Sequence, residues 1–168
     1  MKILFLGDSL IEFYDWQARF PAQAVVNGGR SGESTAGLLA NLPLLLRRCP
    51  DPERVVIMIG TNNLLREDYV FLPDYARILD ALGDTLPPAR ITVTSLPPFR
   101  ADHLAPSVVP HVNQGLLQLS QQKKAAFLDL FSAFTTDAPT IAACFTDDGV
   151  HLSDLGYTIW SARLARML

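Results

Sequence analysis

A chain of 168 residues with 49% hydrophobic and 18% charged residues carries enough apolar material to bury a core without disulfide or metal staples. Its formal net charge of −3, with no Lys/Arg-rich run, excludes the electrostatic footprint of a nucleic-acid or anionic-membrane binder. The prolines are scattered and no repeat, low-complexity tract or linker interrupts the chain, so residues 1–168 are expected to form one domain.

The chain opens KILFLG, a near-continuous apolar run of the kind buried on both faces of a parallel sheet. It is shorter than a secretory h-region and no small-residue cleavage site follows, so it reads as a first strand of a cytoplasmic protein. Gly7, Asp8 and Ser9 come directly after it and lead into LIEFYDWQARF, which has the look of a helix start. A serine there lies near the positive end of a helix, where partial negative charge is favoured. Alternatively, Asp8 or Ser9 only caps that helix. Phe13, Tyr14 and Trp16 follow, and large aromatics so placed are expected to be packing residues before they are an acyl pocket. A second short run, AVVN, is succeeded by NGGRSGEST, whose Gly28, Gly29 and Gly32 permit close approach of a ligand to main-chain N–H groups. The loop lacks the Gly-Lys-Ser/Thr ending of a P-loop and the GxGxxG spacing, and a plain tight turn is its other reading. STAGLLANLPLLLRRC begins with a Ser/Thr cap and is helical in spacing, with Pro43 expected to kink it or shift its start. Cys49 and Cys144 lie far apart without metal-ligand spacing and read as reduced, partly buried thiols.

RVVIMIG at 54–60 is a third strand, followed by GTNNLL. Asn62 and Asn63 are either turn formers or a source of one neutral amide donor that cannot titrate. LPDYARILDALGDTLP places Tyr75, Ile78, Leu79 and Leu82 on one helical face, with Pro73 suited to a first turn. RITVTSLP at 90–97 is a fourth strand, and the proline-rich segment from Leu96 to Pro110 is the natural shaper of specificity. His103 and His111 lie within or beside it and are expected to face solvent. VNQGLLQLSQQKKA is an amphipathic helix with a basic end, AAFLDL at 125–130 a fifth strand, and SDLGYTIWSARLARML a closing helix. Before that helix stands FTDDGVHLSDLGY, where Asp148 and His151 are three apart in a loop. That spacing lets a carboxylate hold Nδ1–H of the histidine and leaves Nε2 free as a base. No apolar stretch reaches the roughly 18 residues of a membrane span.

Strands and helices alternate, which predicts a doubly wound α/β domain with right-handed crossovers: a three-layer α/β/α sandwich around a roughly five-stranded parallel sheet. Ligands bind such sheets beyond the carboxyl ends of the strands. Read there, the segments together supply a nucleophile, a base with its orienting acid, and oxyanion donors.

Four separated motifs in order, GDSL, NGGRSG, GTNN and DGVH, resemble the SGNH hydrolases, also called GDSL esterases and lipases. The resemblance spans nearly the whole chain. It implies a flavodoxin-like SGNH fold and hydrolysis of a small-molecule carboxylic ester of small to medium acyl size. It carries the nucleophile onto Ser9, the acid and base onto Asp148 and His151, and the oxyanion hole onto Gly29 and Asn62, with no metal or organic cofactor. Two positions depart from the pattern: Asn63 stands where relatives often have aspartate, and Leu152 where proline is frequent. A reading of a different class remains, a flavodoxin-like module cradling a phosphate or flavin with the Gly7–Ser9 turn and the Gly28–Gly32 loop.

Overall fold

The computed structural model describes residues 1–87 and 89–168. Five strands, β1 (Lys2–Gly7), β2 (Ala24–Gly29), β3 (Arg54–Met58), β4 (Arg90–Thr94) and β5 (Ala126–Leu128), pair in parallel in the order β2-β1-β3-β4-β5. The helices are α1 (Ser9–Glu12), α2 (Trp16–Arg19), α3 (Thr35–Arg48), α4 (Thr61–Leu65), α5 (Leu72–Thr85), α6 (Val108–Gln122), α7 (Leu130–Thr136) and α8 (Asp154–Ala165), with a 3₁₀ turn at Ile141–Cys144. The α/β expectation and the sheet of five parallel strands are met.

Strand order fixes where the helices lie. The chain moves one way from β1 to β2 and the other way from β2 through β5, so right-handed crossovers put the two sets of connections on opposite faces. Helices α3, α5 and α6 pack in one layer. Across the sheet, α2 meets α8 through Trp16 and Trp160, whose ring centroids are 4.8 Å apart, and α7 packs on α8. The reversal between β1 and β3 opens a crevice at their carboxyl ends.

The central strands are covered on both faces, and Ile3, Leu4, Phe5 and Leu6 of β1 and Val55 to Met58 of β3 are fully buried. The edge strand β2 is not: Ala24 and Asn27 are exposed and Val25 and Val26 half-buried, so apolar continuity overstated its burial. Strand β5 is shorter than AAFLDL suggests, because Asp129 caps α7 by accepting from Ser132 N and Leu130 joins that helix. Helix α3 runs through Pro43 without interruption; the proline faces solvent, where water can serve the Leu39 carbonyl left without its N–H. Helix α6 starts at Val108, four residues before Val112, with Pro110 in its first turn. N–H groups there have no intrahelical acceptor to lose. His111 is therefore helical, and it remains exposed as expected.

Candidate active site

Apart from Gly29, the last residue of β2, every residue of the candidate site stands just beyond a strand or in the loop before α8. Strand β1 ends at Gly7, and Asp8 turns the chain: its Oδ1 accepts from Leu10 N at 3.0 Å while its carbonyl accepts from Ile11 N and Glu12 N. This is an N-cap, as one of the two readings of GDSL had it. The cap leaves Ser9 at the first position of α1, its backbone N–H without an acceptor among the described residues.

The loop before α8 is organised around one carboxylate. Asp148 Oδ1 accepts from Thr146 Oγ1 at 2.9 Å, Val150 N at 2.8 Å and His151 N at 2.9 Å, and Oδ2 faces His151 Nδ1 at 2.6 Å. These donors, His151 first, hold the Asp148 carboxyl well below the usual carboxylate range against a smaller opposing effect of burial. An ionised acceptor on Nδ1 selects the tautomer with its proton there, leaving the Nε2 lone pair toward Ser9. Nε2 lies 3.0 Å from Ser9 Oγ. Thr146 N to His151 O, Gly149 N to Thr146 O and Ser153 N to Cys144 O clamp the loop.

Three further segments converge on the turn at Ser9. Asn27, at the end of β2, donates from Nδ2 to Ile11 O at 3.0 Å and more weakly to Glu12 O and Tyr14 O. Its Oδ1 accepts from Gly29 N at 2.9 Å. The Gly29 N–H, expected to face an oxyanion, is already engaged, on a glycine still paired with Gly7 in the sheet. Gly32, three residues on, has φ of +72° and an N–H with no acceptor among the described residues. Arg66 Nη2 donates to Gly32 O at 2.8 Å, and Asn62 Nδ2 donates to Glu33 O at 3.0 Å. The Asn62 amide is thus held on the 33–34 peptide, and its second N–H has no acceptor among the described residues.

Asn63, in contrast, is buried and structural. Its Oδ1 accepts from Thr35 N at 3.1 Å, and its Nδ2 donates to Thr35 Oγ1 at 3.2 Å and Asp68 Oδ2 at 2.7 Å. An aspartate here would set two carboxylates against each other, so Asp68 gives the departure to asparagine a physical reason. Asp8 is fully buried, and its Oδ2 has no hydrogen-bond partner among the described residues. Burial raises its carboxyl to about 7, opposed by the Leu10 N–H and the nearby His151.

Sequence reasoning did not assign roles to Asn27, Thr35, Asp68 or Tyr157, whose hydroxyl donates to Leu10 O at 3.0 Å. Thr35 and Tyr157 are ordinary polar residues whose partners are distant in sequence, Asp68 meets Asn63 five residues before it, and Asn27 sat unread within a quoted motif. The segment from Leu96 to Pro110 borders two clefts. One of about 560 Å³ is lined by Phe99, Arg100, Leu104, Val109 and Phe131, and one of about 390 Å³ lies between Arg100–Asp102 and Thr146–Gly149. His103 is exposed there, with Nε2 3.1 Å from Leu64 O. Among the described residues no group of three or more His, Cys, Asp or Glu side chains is gathered as a metal ion requires, and no helix is long and apolar enough to cross a membrane.

The model of the GDSL-like Lipase/Acylhydrolase family matches residues 5–159. The chain belongs to that family. Membership in the GDSL-like acylhydrolases makes it a hydrolase of ester bonds. It is 29% identical over 166 residues to the platelet-activating factor acetylhydrolase IB subunit alpha1 of Bos taurus, covering 94% of this chain and 70% of the bovine one. Solved structures similar to it include a lipase/acylhydrolase from Enterococcus faecalis, with TM-score 0.82, 21% identity, and 99% and 94% of the two chains covered. Another is an acetyl xylan esterase from Geobacillus stearothermophilus, with TM-score 0.80, 20% identity, and 98% and 93% covered. At these identities the two structures speak for the fold alone.

Proposed function

We propose that the protein is a serine esterase in which Ser9 is the nucleophile, His151 the general base and acid, and Asp148 the carboxylate that orients it. The observation that carries this reading is the unbroken line from Ser9 Oγ to His151 Nε2 at 3.0 Å and from His151 Nδ1 to Asp148 at 2.6 Å. In acylation, Nε2 takes the serine proton as Oγ attacks the ester carbonyl, and Asp148 stabilises the imidazolium while remaining ionised. The imidazolium then passes that proton to the departing alcohol, and a water repeats the sequence on the acyl-enzyme.

The oxyanion formed in each step needs donors aimed at it. Ser9 N–H and the free N–H of Asn62 are two. In place of Gly29 we assign the third to the N–H of Gly32, which is unengaged among the described residues and directly precedes Glu33, whose carbonyl holds the Asn62 amide. Each such donor is worth about 10²–10³ in rate. Acetyl esters are the first substrates to test, because the bovine relative is named an acetylhydrolase and one structural neighbour an acetyl xylan esterase.

The phosphate or flavin reading fares worse on the same loop. Gly29 N–H is satisfied by Asn27, and Ser31 N–H by the Glu12 carboxylate at 2.7 Å, so the loop already holds an anion of its own. Incubation with a fluorophosphonate followed by peptide mass spectrometry should place the adduct on Ser9, and Ser9→Ala should abolish turnover of p-nitrophenyl acetate. An adduct elsewhere, or turnover surviving in Ser9→Ala, overturns the assignment.

A further inference from the structure

The three aromatics after the nucleophile separate in the structure. Trp16 is buried against Phe5, with ring centroids 4.3 Å apart, and Tyr14 stacks on Tyr157 at 4.3 Å and 8°. Phe13 does neither: its side chain is 60% exposed, and its ring lies 5.4 Å from the His151 ring at 33°. Its backbone is held in place, since Phe13 N donates to Ser9 O at 3.0 Å and Asn27 ties down Ile11 O and Tyr14 O on either side. A phenyl group on a fixed backbone is thus kept largely in water, against the imidazole.

Position decides what such a ring can touch. Both ring nitrogens of His151 are committed, to Asp148 and Ser9, so Phe13 meets the remaining surface of the imidazole. The acyl group stays on Ser9 with its oxygen toward Gly32 and Asn62, whereas the alcohol oxygen leaves by taking the proton from Nε2. The alcohol portion therefore departs along the imidazole, on the side that Phe13 borders. We infer that Phe13 is a leaving-group contact, presenting its face to an alcohol moiety that has a flat, C–H-rich side, an aryl group or the C–H face of a sugar ring. This rests on the serine-esterase reading.

Acetate esters of different alcohols separate this role from a merely structural one, because all of them yield the same acetyl-enzyme. Phe13→Ala should lower kcat/KM for 2-naphthyl acetate, or for an acetylated methyl pyranoside, by about 2- to 10-fold. Ethyl acetate should change by less than about 2-fold, and the deacylation rate constant from stopped-flow should stay as in the wild type, since the alcohol has gone by then. Loss confined to the naphthyl ester identifies an aryl leaving group, and loss confined to the pyranoside a sugar. Phe13→Leu, which keeps apolar bulk without the ring face, should fall between wild type and Phe13→Ala. Equal losses on all the esters, or slower deacylation, would mean that Phe13 positions His151 and would overturn the inference. Esters hydrolysed equally by Ser9→Ala would instead overturn the serine-esterase reading beneath it.

Discussion

Asn63 shows how a single amide fixes a loop that chemistry depends on. It ties the first residue of α3 to the loop after α4, and so brackets both Glu33, which receives the Asn62 amide, and Gly32. Asn63→Asp should therefore destabilise the protein by about 1–3 kcal/mol in urea titrations near neutral pH, because a carboxylate replaces the donor to Asp68. Adding Asp68→Asn should restore most of the loss, and a double-mutant cycle with no coupling would refute the pairing. At this scale the sequence was legible where residues stand in ordered motifs. Ser9, Asp148 and His151 came from motif order, and the structure brings them within hydrogen-bond distance. Gly29 and Gly32 could not be told apart in the same way. Both sit in one glycine-rich loop, and which N–H is free depends on an asparagine side chain folding back two residues.

Among the elements, the stretch from the 3₁₀ turn to the start of α8 governs where His151 sits. Phe145 and Leu152 form an antiparallel bridge, Ser153 Oγ donates to Ala143 O, and Gly156 lies so close to the turn that a Cβ on it would stand 2.3 Å from Cys144 O. Ala normally favours a helix over Gly by about 1 kcal/mol. Here Gly156→Ala should do the reverse, lowering the thermal midpoint and also kcat, because α8 can make room only by lifting the segment that carries His151. A more stable and fully active Gly156→Ala would show that the contact yields cheaply. A closing helix was read in SDLGYTIWSARLARML, without its Ser153 cap. The residues alone could not show this contact, which depends on how two elements pack. Boundaries failed for related reasons: β5 stopped early at a capping Asp129, and α6 began early because Pro110 is harmless in a first turn.

For the molecule as a whole, one buried charge site links stability to pH. Asp8 has an ordinary value of 3.8 that burial raises to about 7, so between those values the folded chain holds a proton that the unfolded chain has released. Stability contributed by this group is complete below about pH 4 and is lost as pH rises through about 7, a change of a few kcal/mol. Asp8→Asn should flatten that portion of the curve when urea midpoints are compared between about pH 4.5 and about pH 7.5. Parallel slopes in the two proteins would show that Asp8 is not the group responsible. Sequence order gave the alternation of strands and helices, and with it the sheet. It could not have flagged Asp8 as a titrating group, because the motif shows a carboxylate and not the walls that cover it.

Asp148 and His151 are neighbours along the chain, but His151 and Ser9 are 142 residues apart. The first contact is made by a loop that closes on itself. The second spans two independently seated parts, β1 with its turn and α8 with its loop, joined near the site by Tyr157 reaching Leu10 O. Misplacing a reacting group by about 1 Å can cost 10²-fold in rate. The Ser9–His151 distance therefore acts as a gauge across the molecule: a slip of α8 against the sheet too small to disturb either part would register first as lost turnover.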